Sequence, residues 1–279
     1  MKQVETVAQL RQAVSRLAGE TALVPTMGNL HQGHLALVRR ARELAGQVVV
    51  SIFVNPMQFD REQDLRAYPR TLDEDLALLR NEGVDLVFTP AEKLVYPKSM
   101  AVHTRVEVPG ISDIFCGKSR PGHFVGVSTI VCKLFNMVQP RIAVFGKKDY
   151  QQLLVIKRMV EDLAIPVELV GVDTVREEDG LAMSSRNNYL DARQRRIAPA
   201  LYRALRSTAD ALEQGDKDFP ALEQAAVERM ASAGLQPDYF GIRRASDLGR
   251  PAVDEQELVI LGAAFLGMAR LIDNLEVRL

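Results

Sequence analysis

The stretch Val24-Pro25-Thr26-Met27-Gly28-Asn29-Leu30-His31-Gln32-Gly33-His34 decides the fold. It follows a short apolar run, Thr21 to Val24, that reads as a buried strand, and it precedes a run from Leu35 to Leu44 that reads as a helix. At a strand-loop-helix junction the first helical N–H groups have no intrahelical partner and their dipole favours an anion, so the loop is a natural phosphate seat. Gly28 and Gly33 allow backbone geometry and close approach that a side chain would block. His31 and His34, three residues apart, point to one side of the first helical turn. As half of a zinc site the pair lacks company: the chain has four His, its two Cys lie far from the loop, and no further ligands stand at the usual spacing.

Working outward, Val7, Leu10, Val14 and Leu17 give residues 3 to 18 the pattern of an amphipathic helix before the first strand. Val48 to Val54 is a β-branched run suited to a strand buried on both faces, stopped by Asn55-Pro56. A helix over 72–81 closes at Gly83, and Val84 to Phe88 is the next strand. Val102 to Val108 alternates weakly as a strand, and a long helix marked by Phe124, Val127, Val131, Leu134, Phe135 and Val138 is closed by Pro140. Ile142 to Phe145, Tyr150 to Leu163 and Val167 to Val172 repeat strand, helix, strand. The texture changes near residue 176, with long helical patterns at 191–214 and 218–233, a strand at Glu257 to Leu261 and a strand-like end at Ala269 to Leu271. The expected architecture is α/β: a Rossmann-like doubly wound parallel sheet over residues 1–175, followed by a smaller α+β domain over 176–279.

The 279 residues suffice for a sizeable core, and the hydrophobic (47%) and charged (25%) fractions are those of an ordinary globular protein. A formal net charge of -1 offers no global field for nucleic acid or an anionic membrane, so any anion must be bound locally. The start of the chain, with Glu5, Gln9, Arg11 and Gln12, forms no signal-peptide core, and the apolar runs are too short to span a bilayer. Two thiols, Cys116 and Cys132, make a poor disulfide framework, and reduced thiols in a cytoplasm are expected.

Ligands of open parallel sheets bind outside the carboxyl ends of the strands, and the remaining motifs fall there. Asn55-Pro56-Met57-Gln58-Phe59 places Gln58, donor and acceptor without charge, after the second strand; a loop Gln can equally face solvent. Gly146-Lys147-Lys148-Asp149-Tyr150-Gln151-Gln152 sets two lysines at a helix start, against the dipole, as if an anion were expected, or simply as solvated cations. Leu181-Ala182-Met183-Ser184-Ser185-Arg186-Asn187 offers two hydroxyls and a guanidinium suited to phosphate oxygens, or a Ser-rich turn beside an ion pair. Between Gly117 and Gly122 the chain imitates a P-loop, but His123 and Phe124 stand where Lys and Ser/Thr are required.

Together these stretches resemble the HxGH nucleotidyltransferase-like superfamily and, within it, the pantoate:β-alanine ligase (pantothenate synthetase) family. The resemblance spans 24–34, 54–59, 119–127, 146–152 and 183–188, with a looser echo at Ala269-Arg270-Leu271-Ile272-Asp273-Asn274. It implies ATP-dependent condensation of pantoate with β-alanine through pantoyl adenylate, releasing pyrophosphate and then AMP, with Mg²⁺ held through the ATP phosphates. It further implies that His34, His31 and Lys148 are catalytic. Met27, Gly28, Asn29, Leu30, His31, Gln32, Gly33 and His34 would bind ATP, together with Gly146, Lys147, Lys148, Asp149, Val175, Met183, Ser184, Ser185 and Arg186. Gln58 and Gln152 would bind pantoate and β-alanine. Lys147 replaces the family's Glu, and a homodimer is the family's assembly. A nucleotidyltransferase that stops at the nucleotidylated product and a non-enzymatic ATP sensor remain as alternatives, which the two glutamine loops disfavour only through the resemblance.

Overall fold

The computed structural model describes residues 1–60 and 62–279, and the chain divides into two compact units. The first comprises residues 1–147 and 151–173, the second 148–150 and 174–279. Among the described residues no helix is long and apolar enough to cross a membrane.

In chain order the first unit contains β1 (Lys2–Val4), α1 (Val7–Val14), β2 (Thr21–Thr26), α2 (Gln32–Leu44), β3 (Gln47–Ile52), α3 (Glu62–Ala67), α4 (Leu72–Asn81) and β4 (Leu86–Phe88). It continues through α5 (Glu92–Val95), α6 (Cys116–Ser119), α7 (His123–Val138), β5 (Ile142–Gly146), α8 (Tyr150–Asp162, all but its first residue) and β6 (Glu168–Val172). The six strands form one parallel sheet in the order β1-β4-β3-β2-β5-β6. The order reverses direction between β2 and β5, so the crevice of the doubly wound sheet opens beside the turn at 27–34. The four inner strands are buried on both faces, and Ala22, Val24, Val48, Val50, Val87 and Val144 pack with Leu37, Val38 and Leu79 of the helices.

Two expectations fail here. The segment 3–18 begins with the edge strand β1, too short to carry a periodicity, and α1 occupies only Val7–Val14, where Thr6 and Gln9 form a capping box. The alternating stretch 102–108 forms no strand. Its backbone lies along α7 instead: Val106 N donates to Thr129 Oγ1 at 2.9 Å, and Val108 is buried.

The second unit contains α9 (Ala192–Ile197), α10 (Ala200–Glu213), α11 (Phe219–Ser232) and an antiparallel sheet of β7 (Gln236–Arg244), β8 (Glu257–Leu266) and β9 (Ala269–Arg278). The pattern over 191–214 is two helices, because Pro199 has no N–H to continue α9. β7 escapes a pattern search because Pro237 and Gly241 read as punctuation; Pro237 sits at a bulge on an edge strand, where proline is tolerated. The β8–β9 hairpin is far longer than the apolar stretches at 257–261 and 269–271 suggest. Arg270, Asp273 and Glu276 on β9 break the apolar signal, and the first two are taken up in ion pairs. Leu201, Leu205, Leu212 and Met230 of the helices pack on Ile242, Leu258 and Ile260 of the sheet.

Candidate active site

The turn after β2 has a tightly specified shape. Gly28 takes φ +80°, and a Cβ there would lie 2.9 Å from Asp75 Oδ2; Asn29 follows at φ 50°. The buried carboxylate of Asp75, on α4, accepts from the amides of Asn29 (2.9 Å) and Leu30 (2.8 Å), while Thr71 Oγ1 approaches it at 3.3 Å. Burial pushes the Asp75 carboxyl above its ordinary pKa, and the Leu30 and Asn29 amides oppose the shift. Gly28 N donates to Thr26 Oγ1 at 3.3 Å.

His31 and His34 cap α2 reciprocally. Gly33 N donates to His31 Nδ1 at 3.1 Å, and His31 N donates to His34 Nδ1 at 3.3 Å, a capping box built from two imidazoles whose centroids are 4.1 Å apart. An Nδ1 that accepts an amide proton carries none of its own, so the neutral tautomer of each ring bears its proton on Nε2. The amides of residues 28 to 31 and of Gly33 and His34 already have protein acceptors, so at these positions the free helix amides expected as a phosphate seat are engaged within the turn itself.

The loop after β3 meets this turn. Gln58 Nε2 donates to Met27 Sδ at 3.1 Å, and Gln58 Oε1 accepts from Asn55 Nδ2 at 3.0 Å. Asn55 is buried; it also donates to Gly126 O and accepts from Tyr96 Oη at 2.7 Å. Burial pushes the Tyr96 hydroxyl up, which keeps it a donor. A thioether is a weak acceptor, so a hydroxyl or carboxylate competes well for the Gln58 N–H. Gln152 lies half-buried in the first turn of α8. Its neighbour Gln151 faces inward and bonds Ile111 O, Ile114 O and Cys116 N, which fixes the segment around Phe115, a residue held at φ 46° and ψ -115°.

At the end of β5, Lys147 Nζ lies 2.9 Å from Asp173 Oδ1, so its charge is matched inside its own unit. Lys148 belongs to the second unit. Its ammonium is 3.9 Å from Asp149 Oδ2, and its carbonyl accepts from Asn274 Nδ2 at 2.8 Å. In the same unit a short hairpin joins Val175 to the Ser-Ser-Arg loop: Met183 N donates to Val175 O at 3.0 Å, and Arg176 pairs with Ala182. Ser184 Oγ accepts from Arg186 N at 3.2 Å and starts a single 3-10 turn over Ser185–Tyr189.

Sequence reasoning missed Asp75, Arg176, Asp273 and Asn274. Arg176 clasps Asp273 through both guanidinium N–H groups, at 2.6 and 3.0 Å, and also donates to Asn274 O. Burial pushes the Asp273 carboxyl up, against the pull of Arg176. The loose echo at 269–274 held the only signal for this pair. Asp75 gave none, because a carboxylate in the first turn of a helix ordinarily serves the helix dipole. The first unit therefore brings together the 27–34 turn and Gln58, and the second unit joins Val175 to the 183–186 loop and also contains Lys148.

The family model for pantoate-beta-alanine ligase matches residues 2–276. Pantothenate synthetase of Thioalkalivibrio sulfidiphilus is 59% identical over 282 residues, covering 100% of this chain and 99% of the relative, and that of Pseudomonas putida is 55% identical over 100% and 98%. The crystal structure of pantothenate synthetase from Thermus thermophilus is 48% identical and superposes with a TM-score of 0.94 over the whole of both chains. That of pantoate-beta-alanine ligase from Francisella tularensis, complexed with beta-gamma ATP and beta-alanine, is 33% identical with a TM-score of 0.84 over 99% and 97%. The chain belongs to the pantoate-beta-alanine ligase family.

Proposed function

We propose that the chain condenses pantoate with β-alanine in two steps. A pantoate carboxylate oxygen attacks the α-phosphorus of ATP, pyrophosphate leaves, and pantoyl adenylate forms. The β-alanine amine then attacks the acyl carbon, AMP leaves, and the amine gives up a proton to yield the amide. An amine in water cannot expel oxide from a carboxylate, and adenylation replaces that leaving group with AMP.

The contact of Met27 with Gln58 carries this reading, because it joins the nucleotide turn to the residue assigned to pantoate, so that carboxylate and α-phosphate are presented together. Gln58 and Gln152 hold pantoate. The imidazoles of His31 and His34 and the ammonium of Lys148 meet charge that builds on the phosphate oxygens, and His34 also supplies a proton. Met27 to His34, Gly146 to Asp149 and the Val175 backbone contact the nucleotide, with Lys147 acting on its affinity. Ser184, Ser185 and Arg186, beside Met183, take the leaving pyrophosphate. Apart from Asp149 and the two imidazoles these groups are donors and cations, which suits an Mg²⁺ held chiefly through the ATP phosphates; such an ion would neutralise phosphate charge. In this reading residues 1–175 carry the pantoate and nucleotide contacts and residues 176–279 contribute the Ser-Ser-Arg phosphate loop. Alignment with the ATP and β-alanine complex and identity to the curated relatives both support the substrates. The same reading carries a cytoplasmic homodimer, which equilibrium sedimentation of the purified chain tests.

The deciding experiment is pyrophosphate release from Mg-ATP and pantoate, without and then with β-alanine. A burst that becomes steady turnover with AMP on adding the amine is the expected result. Sustained release without the amine would instead mark a nucleotidyltransferase or hydrolase, and no release under any combination would leave an ATP sensor.

A further inference from the structure

The Ser119-Arg120-Pro121-Gly122-His123-Phe124 motif has no part in the chemistry above, yet its side chains close on the backbone of the loop that carries Gln58. His123 Nδ1 lies 2.7 Å from Gln58 O, and Arg120 Nη2 donates to the same oxygen at 3.1 Å. A carbonyl only accepts, so His123 Nδ1 bears the proton; its Nε2 then accepts from Arg120 Nη1 at 3.3 Å. The Arg120 guanidinium also bonds Asp60 Oδ1 at 2.9 Å, two residues past Gln58. Burial would lift the Asp60 carboxyl, but the hydrogen bond and charge of Arg120 carry it below its ordinary value. Three residues on, Gly126 sits against the same loop so closely that a Cβ would lie 2.4 Å from Met57 O. Arg120, His123 and Gly126 thus grip residues 57 to 60 from one side, with the carbonyl of Gln58 at the centre.

We infer that Arg120 and His123 are positioning residues for pantoate. They fix the Gln58 peptide, and with it the direction of the Gln58 side chain, through two donors to one carbonyl. The Gly122 N-cap, at φ +81°, turns the chain so that both side chains reach the same oxygen. The inference rests on the assignment of Gln58 to pantoate.

The test is a kinetic cycle in the full chain, with pantoate and ATP varied separately. His123→Ala should raise the pantoate KM about tenfold, the loss of roughly one buried hydrogen bond, with the ATP KM nearly unchanged. His123→Asn, whose side-chain amide keeps a donor near the place of Nδ1, should restore most of the loss. Arg120→Lys retains the charge opposite Asp60 but cannot span the three acceptors that the guanidinium reaches, and should give a smaller shift in the same direction. In a Gln58→Ala background, His123→Ala should add nothing further. A parallel rise in the pantoate and ATP KM values, or an undiminished His123 effect without the Gln58 side chain, overturns the inference. A normal pantoate KM for Gln58→Ala alone overturns the assignment of Gln58 itself, and the inference with it.

Discussion

The turn at 27–34 and the loop at 183–186 carry the same assignment, contact with a triphosphate, and they are built in opposite ways. In the turn a carboxylate 46 residues away spends both oxygens on backbone amides, and two imidazoles cap each other. The shape of the turn is thus fixed by groups of the chain itself, its carboxylate and its imidazoles. In the loop the shape is local: Ser184 caps its own short turn, and the Arg186 guanidinium has no hydrogen-bond partner among the described residues. The neighbouring Arg176, by contrast, is spent on Asp273 and on the carbonyls of Asn274 and Gly180. The turn is held in place before any ligand arrives, whereas the loop keeps an unspent charge, and the two arginines of one unit divide into one that supports the fold and one available to a ligand.

That division breaks most visibly at Asp273. Its replacement by Ala should cost about 3–5 kcal/mol of stability, because Arg176 would be left half-buried and uncompensated, whereas Arg186→Met should leave the thermal midpoint in place and raise the ATP KM. Equal losses of stability from both would erase the distinction. His34→Ala and Lys148→Ala come next, each expected to lower kcat by roughly 10²–10³ with an unchanged melting curve, since each removes one preorganised donor. Near-normal turnover would take that residue out of the mechanism.

Asp75→Asn probes the preorganisation itself. One amide N–H would then face a backbone N–H, at a cost of about 1–3 kcal/mol, and the damage should fall on kcat more than on the pantoate KM. A pH signature accompanies it. A carboxyl whose folded pKa is raised binds its proton more tightly when folded, so the wild type gains stability as pH falls through the window above the ordinary value of 3.8 and loses it as pH rises. Denaturant titrations across that range should show this slope in the wild type and its absence in the Asn variant. The smallest effect is expected at Lys147→Glu. The pair with Asp173 is largely exposed on the aspartate side and contributes less than about 1 kcal/mol, so the variant should alter the ATP KM more than the stability.

Much of this was legible in the chain. The β-branched run at 48–54, the punctuated helix at 72–81 and the long helix closed by Pro140 carry strong local signals, and each stands within a residue or two of its expected bounds. What was misjudged had weak or contrary local signals: three residues at β1, a proline in β7, charges along β9, and an alternating stretch at 102–108 whose partner is a helix.

By itself the sequence determined the parallel α/β architecture, the position of the 27–34 turn after a strand, and the family, because periodicity, glycine placement and motif spacing are properties of neighbouring residues. Only the tertiary structure decided which groups are spent and which are available. Asp75 takes the amides that a phosphate would have used, Asp273 takes Arg176, Asn274 takes the carbonyl of Lys148, and Arg120 with His123 takes that of Gln58. Each pairing joins groups far apart in the chain, and a hydrogen bond depends on where the fold brings its partners rather than on their spacing in sequence.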